Sequence, residues 1–468
     1  MIPHLLRFAL TGLLAFTANA HADALPGEVA AALQTARIPA SHVAIVVQPI
    51  EAGTPSLAHN ARQAMNPASV MKLLTTYAAL DLLGPAHNWK TEALADTRLA
   101  ADGTLGGHLY LRGGGDPKFA IEHLTALLRQ LRVRGVRHLA GDIVLDRSAF
   151  DMPPLDPGAF DDKPMRPYNV GPDALLINFR ALRFTLAPGN GGVQIWAETP
   201  SDGLTIDNRL QAGQGECPAD WKDRLQPRLA DDGKRLEFAG VYATACGERS
   251  LHLAPLPADA QAGGLVRALW KELGGSVAGQ VRPGRTPDNA TLLARHDSPP
   301  LADYIRDINK FSNNVMARQL YLALAGNGAP ATAERARQRI ADWLSARALR
   351  FDELVIENGS GLSRHERISA DSLNRLLLDA WKSPVMPELL ASLPIVGFDG
   401  TMKRRLQATE ASGRAHIKTG SIDGVRSAAG YALDSRGRRV AVTFLVNHPR
   451  AQAAQPAIDA LLLWVARQ

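Results

Sequence analysis

Asn66-Pro67-Ala68-Ser69-Val70-Met71-Lys72-Leu73-Leu74 is the stretch on which the reading of this chain turns. Asparagine and proline are helix-start signals. The run stays apolar nearly all round as far as Leu83, and Gly84-Pro85 stops it. That pattern predicts a buried helix over residues 66–83. Ser69 and Lys72 stand three apart and share one face of its first turn. A serine there gains from the helix N-terminal dipole, and its backbone N–H is a candidate oxyanion donor. A lysine within reach serves as general base only when neutral, and burial beside a second cation drives it toward that state. A lysine in an apolar helix is informative in itself, because burying an unpartnered charge is strongly unfavourable. Alone, the Ser-x-x-Lys pattern is weak, since a chain of 468 residues holds on the order of one by chance at ordinary residue frequencies.

On either side of this helix the texture is uneven. Residues 27–36 read as a helix and 42–47 as a strand. From 86 to 295 short alternating strands follow one another, with turns rich in Gly, Pro and Asp. Examples are Leu109-Tyr110-Leu111-Arg112 before Gly113-Gly114-Gly115-Asp116, and Asp142-Ile143-Val144-Leu145 before Asp146-Arg147. One helix, 121–133, interrupts them, and 190–255 is again strand-like. Helices return over 301–309, 314–325, 331–347 and 369–381. Strands are expected at 415–419, 427–433 and 440–446, and a last helix at 456–467. The ends thus read as α/β and the middle as a mostly β insertion.

Composition narrows the function classes. Hydrophobic residues make up 46% and charged residues 21%, as in an ordinary globular protein, and the net charge is +6. No Lys/Arg block or aromatic–basic interleaving occurs, so nucleic acid is not an expected partner. Residues 1–22 have the layout of a secretory leader: Arg7, an apolar run from Phe8 to Phe16, then the small residues of Ala18-Asn19-Ala20-His21-Ala22. No later stretch approaches the 18 or so uninterrupted apolar residues of a membrane span, so no stable membrane anchor is expected. In an oxidising compartment Cys217 and Cys246, the only cysteines, read as one local disulfide. Two cysteines cannot build a Cys-rich zinc site, and His365-Glu366 lacks the second histidine of a metalloprotease motif. Neither a metal nor a cofactor is expected.

Two further elements carry chemistry. In Ser312-Asn313-Asn314, between two helical stretches, a hydroxyl and an amide two apart can reach one cleft. The hydroxyl suits relay of a proton to a leaving amine, the amide suits a peptide carbonyl, and both residue types also serve as plain helix N-caps. In His416-Ile417-Lys418-Thr419-Gly420-Ser421, Lys418 offers a charge to a carboxylate. Gly420 clears the approach of a peptide to an edge strand, and the Ser421 N–H is a second oxyanion donor.

In order, Ser-x-x-Lys, Ser-x-Asn and Lys-Thr-Gly form the constellation of penicillin-binding proteins and class A β-lactamases. Residues 73–311 separate the first two, too many for a compact β-lactamase. The chain resembles the low-molecular-mass D-alanyl-D-alanine carboxypeptidases/endopeptidases with domains inserted at that point. Gly113-Gly114-Gly115-Asp116-Pro117, Asn358-Gly359-Ser360-Gly361-Leu362-Ser363-Arg364 and Leu393-Pro394-Ile395-Val396-Gly397-Phe398-Asp399-Gly400-Thr401 extend the likeness. Asn358 stands where the family often has Asp, and Asp423 lies just past Ser421 where residues vary.

The resemblance implies a β-lactamase/transpeptidase-like core, an antiparallel sheet flanked by helices, from residues 23–85 and 296–468. It implies one inserted domain from 86–184 with 261–295, and a second, mostly β, from 185–260 that carries the cystine. It implies a serine acyl-enzyme that hydrolyses D-alanyl-D-alanine bonds of peptidoglycan stem peptides in the periplasm and is acylated by β-lactams. Ser69 would be the nucleophile, Lys72 the base and Ser312 the proton relay. Asn314, Lys418, Thr419, Gly420 and Ser421 would bind substrate. A β-lactamase would turn penicillin over rapidly, and a non-catalytic peptidoglycan-binding relative would have lost a motif residue; none is lost here.

Overall fold

The computed structural model describes residues 24–326 and 328–468; the expected leader lies outside them. Five antiparallel strands form the sheet that organises the termini, in the order Ala415–Ile422, Val425–Leu433, Arg439–Asn447, Val43–Pro49, Leu57–His59. Both faces are covered, so the inner strands are mainly apolar on both faces, and the period of two decides which layer each residue joins. Val440, Val442, Phe444 and Val446 face the terminal helices Gly27–Ala36 and Gln455–Arg467, together with Val43, Ile45 and Val47. Ala441 and Leu445, with Ala44 and Val46, face the other layer. That layer contains helices Lys72–Leu83, Leu301–Lys310, Asn314–Ala323, Ala333–Ala346, Ala370–Lys382 and Met386–Ser392. The first of these is apolar on every side because it lies in the middle of this layer, with Leu73, Leu74, Tyr77, Ala78 and Leu80 buried.

The insertion has two cores. The first is a mixed sheet in the order Val281–Pro283, Ile143–Asp146, Leu109–Gly113, Lys90–Ala95, Thr291–Asp297. Its first three strands run parallel, which requires crossover connections. Helices Ile121–Val133 and Ala258–Glu272 supply Leu124, Leu127, Leu128, Leu265, Val266 and Trp270 to its core. This unit is therefore α/β rather than mostly β. The second helix had read as strand and turn because Gly263-Gly264 interrupts its apolar 3–4 spacing. The glycines are there for close packing: a Cβ on Gly264 would stand 2.8 Å from Ser201 Oγ.

The second core lies between two three-stranded sheets, Arg249–Leu253/Leu182–Gly189/Gly192–Ala197 and Thr205–Gly213/Arg235–Ala243/Arg228–Ala230. It is all β apart from short 3-10 turns, and Phe184, Phe238, Leu236 and Tyr242 fill it. The Cys217–Cys246 disulfide is formed. The expected cut at 184/185 passes inside the strand Leu182–Gly189, and that at 260/261 inside the helix Ala258–Glu272. Leu182 pairs with Leu253, so this unit leaves and re-enters the chain at adjacent points.

The insertion is tied to the core along helix Asn314–Ala323. Arg318 donates to the carbonyl of Val170 (2.9 Å), and Gln319 exchanges hydrogen bonds with the backbone N–H (2.9 Å) and carbonyl (2.8 Å) of Asp173. Lys118 pairs with Asp307 at 2.6 Å. No helix among the described residues is long and apolar enough to cross a membrane.

Candidate active site

The nucleophile turn is built on Asn66. Its side-chain oxygen accepts from the Ala68 N–H (2.9 Å), and its amide donates to the Ser363 carbonyl (2.8 Å). Its own backbone N–H and carbonyl pair with the Asn447 side chain on the central sheet, at 2.8 and 2.9 Å. So anchored, the chain holds Ala68 at φ +45, an unfavourable region for a residue with a Cβ. A 3-10 turn, Ala68–Met71, follows, and the α-helix begins at Lys72. Ser69 thus sits just ahead of the helix N-terminus and Lys72 on its first residue.

Lys72 is fully buried, and its Nζ donates to Ser69 Oγ (3.0 Å), to Asn314 Oδ1 (2.7 Å) and to the Ser360 carbonyl. Burial first, and the Lys418 charge second, hold its pKa well below the ordinary lysine range. Asn314 spends its carbonyl oxygen on Lys72, which leaves its NH₂ to donate elsewhere.

Ser312 lies on the turn between helices Leu301–Lys310 and Asn314–Ala323, at a left-handed backbone position, φ +56. Its hydroxyl accepts from Lys418 Nζ at 2.9 Å, and the same ammonium donates to the Thr419 carbonyl at 2.6 Å. Lys418 is completely buried, and burial pushes its pKa down to about 7. Thr419 shares a 2.8 Å hydrogen bond with the Thr401 hydroxyl.

Strand Ala415–Ile422 forms the cleft wall as an edge strand. The Ile417 N–H is taken on its outer side by the Pro394 carbonyl, at 2.8 Å. By the strand's alternation, the backbone groups of Thr419 and Ser421 point to that same side. The Ser421 hydroxyl turns away, donating to Gln452 at 3.0 Å. Gly420 lies against the nucleophile turn: a Cβ there would stand 2.9 Å from Ser69 N and 2.3 Å from Ser427 Oγ, which itself donates to the Pro67 carbonyl. On the opposite side a Cβ on Gly361 (φ +77) would stand 1.9 Å from the Ala68 carbonyl oxygen. Both glycines are needed for close approach of backbone to backbone.

All eight residues singled out in the sequence therefore lie in or along one cleft. Lys72 joins Ser69 and Asn314 by side-chain hydrogen bonds, Lys418 joins Ser312, the two ammonium groups act on each other electrostatically, and Thr419, Gly420 and Ser421 line the strand beside them. Reading by motif missed Ser360, Gly361, Thr401 and Glu366 as individual site residues. The first three lie inside the two extra stretches that carried the resemblance; Glu366, between His365 and Arg367, had no signal. Among the described residues no group of three or more His, Cys, Asp or Glu side chains is placed to hold a metal ion.

The chain is 28% identical over 396 residues to the D-alanyl-D-alanine carboxypeptidase DacB of Haemophilus influenzae, covering 83% of this chain and 82% of that protein. It is 28% identical over 474 residues to a D-alanyl-D-alanine carboxypeptidase of an Actinomadura species, covering 97% of this chain and 86% of that one. The crystal structure of penicillin binding protein 4 (dacB) from Haemophilus influenzae superposes with a TM-score of 0.79 at 25% identity, over 94% of this chain and 99% of that one. The same protein complexed with a β-lactam superposes with a TM-score of 0.74 at 25% identity, over 93% and 99% of the two chains. Residues 25–468 match the model of the D-Ala-D-Ala carboxypeptidase 3 (S13) family, and the chain belongs to that family.

Proposed function

We propose that Ser69 carries the acyl group when this serine DD-peptidase hydrolyses a D-alanyl-D-alanine bond, and that Lys72 is its base. The observation that carries the assignment is the Lys72 ammonium, fully buried, depressed in pKa and 3.0 Å from the Ser69 hydroxyl. A neutral Lys72 takes the hydroxyl proton as Ser69 attacks the carbonyl of the penultimate D-alanine. The backbone N–H groups of Ser69 and Ser421 receive the developing oxyanion. The leaving amine receives the proton that Lys72 took, relayed by the Ser312 hydroxyl, which the Lys418 ammonium holds at 2.9 Å. The free NH₂ of Asn314 orients the acyl-side peptide, and Lys418 with Thr419 holds the terminal carboxylate. Water then releases the acyl group. A β-lactam presents a strained amide and a carboxylate at the same spacing, and so acylates the same hydroxyl.

The insertion reaches the flank of the nucleophile turn, where Phe160 packs against the cluster of Ala68, Leu362, Ile422 and Val425. Leu155 and Phe160 from the insertion, with Arg318, Asn358 and Arg364 from the core, line a cavity of about 400 Å³, and the Arg364 guanidinium lies 4.5 Å from the Phe160 ring centre. We assign the wall formed by 152–172 to reading the stem peptide. We divide the chain into a core from 24–85 and 296–468, an α/β insertion, and a cystine-bearing unit spanning 182–253. Residues 1–22 read as a leader directing the chain to the periplasm.

Intact-protein mass spectrometry with penicillin tests the nucleophile. Wild type gains one penicilloyl unit and Ser69→Ala gains none; a label retained by the alanine variant removes Ser69 from the mechanism. Defined monomeric and cross-linked muropeptides then separate carboxypeptidase from endopeptidase action by their products. Fast release of hydrolysed penicillin would instead indicate a β-lactamase.

A further inference from the structure

Glu366 is completely buried on the loop between helices Ala333–Ala346 and Ala370–Lys382, outside every motif. Its Oε1 accepts three successive backbone N–H groups, those of Glu357 (3.1 Å), Asn358 (3.0 Å) and Gly359 (3.1 Å). Its Oε2 is buried with no hydrogen-bond partner. A buried carboxylate with an idle oxygen is costly unless neighbouring positive charge compensates it. Such charge is present: Lys72 and Arg318 both interact electrostatically with Glu366.

The loop it gathers is the one beneath the nucleophile. The next residue after its three donors is Ser360, whose carbonyl accepts the Lys72 ammonium, and the one after that is Gly361, packed on the Ala68 carbonyl. Thr75 of the nucleophile helix donates to the Gly359 carbonyl at 2.7 Å. One carboxylate therefore fixes both the acceptor that aims Lys72 and the surface on which the Ser69 turn rests.

We propose that Glu366 is a positioning residue for acylation: it holds the 357–361 loop that aims Lys72 and supplies the negative charge that balances Lys72 against its cationic neighbours. This rests on Lys72 being the base for Ser69. The charged groups acting on Lys72 are Lys418 from the edge strand, Arg318 from helix Asn314–Ala323 and Glu366 from the loop; Glu357 acts on Arg318. Lys418 and Arg318 favour the neutral amine and Glu366 alone favours the ammonium. Removing the Glu366 charge thus leaves Lys72 neutral at lower pH.

The experiment measures the second-order rate of penicillin acylation against pH for the full chain. Glu366→Gln keeps an oxygen to accept the three N–H bonds and removes only the charge. Its acidic limb is expected to move to lower pH by about one unit, the size of shift that one nearby charge commonly produces. Glu366→Ala removes the acceptor as well, and its acylation is expected to fall on the order of 10²-fold at every pH, as for a misplaced reacting group. A wild-type limb in folded Glu366→Gln overturns the charge role, and a wild-type rate in folded Glu366→Ala overturns the loop role. Should Glu366→Ala fail to fold, the limb of Glu366→Gln decides. Wild type and Ser69→Ala run alongside: without penicilloyl transfer to Ser69 the nucleophile assignment fails, whereas normal transfer with an unmoved limb refutes Glu366 alone.

Discussion

Lys72, Lys418, Glu366 and Arg318 are ionisable and buried in the catalytic core, and Lys72, Glu366 and Arg318 each act electrostatically on the other two. In the cystine-bearing unit ion pairs such as Arg183 with Glu198 and Arg224 with Asp220 lie at the surface, and the one buried acid among them, Glu237, is held by the exposed Arg228 and Arg235. Exposed pairs contribute about 0–1 kcal/mol each, so this unit relies on its small apolar core and its disulfide. Buried charges in the core cost stability and are retained because they set proton affinities. The two regions should therefore respond differently: the core to a single atom, the inserted unit only weakly to the loss of whole strands.

The sharpest way to break that contrast is one carbon atom. Gly361→Ala places a Cβ against the Ala68 carbonyl at a left-handed backbone position, so the nucleophile turn must shift. Penicillin acylation is expected to fall on the order of 10²-fold, the usual cost of displacing a reacting group by about an ångström. Stopped-flow acylation with circular dichroism as a folding control measures it; an unimpaired rate would mean that the turn is not held from this side.

A second prediction concerns pH. Lys418 titrates at about 7 when folded and near 10.4 when unfolded. Between these values the unfolded chain binds a proton that the folded chain does not, so stability rises with pH across the window and levels off below pH 7. Lys72, also depressed, acts in the same direction. Urea midpoints from pH 7 to 9.5 should climb in wild type and climb less steeply in Lys418→Met. Equal slopes would show that Lys418 is not buried as an amine.

Reducing Cys217–Cys246 probes the other region. The bond closes a loop of sequence separation 29 and contributes about 3–4 kcal/mol in the chain-entropy model. Cys217→Ser with Cys246→Ser should add an early melting transition by calorimetry while acylation stays unchanged. A matching loss of acylation would join the two regions into one cooperative unit. The smallest effect is expected from replacing 182–253 by a short linker across the paired ends Leu182 and Leu253. Penicillin acylation should stay within about twofold, as for distant independent sites. The ratio of cross-linked to monomeric muropeptide turnover would then report whether this unit reads substrate; an unchanged ratio makes it a spacer.

The same contrast separates what was legible in the sequence from what was not. Ser69, Lys72, Ser312, Asn314 and Lys418 are legible because short spacings and obligatory residue types encode them. The central strands are legible from Val43–Pro49 and Arg439–Asn447, whose runs are apolar on both faces. Helix Ala258–Glu272 was hidden by Gly263-Gly264, whose purpose is a long-range contact with Ser201 and Val281 that local spacing does not reveal. The mixed sheet was hidden likewise, since it joins Lys90–Ala95 to Thr291–Asp297 across two hundred residues of chain. Glu366 was illegible because its role lies in donors that only the folded loop brings together.

The closeness of Gly420 and Gly361 to the Ser69 turn also bears on how this protein could escape an inhibitor. Resistance by steric exclusion needs a larger side chain near the acylated hydroxyl. Here the floor of the cleft has no room for one, since either glycine would collide with the nucleophile's own backbone before it touched a drug. Escape routes that preserve turnover are therefore confined to the rim, where exposed Phe311 and Phe398 flank the Ser312 turn and the Thr401 loop. Selection with β-lactams should accumulate substitutions at those rim positions and leave both glycines untouched.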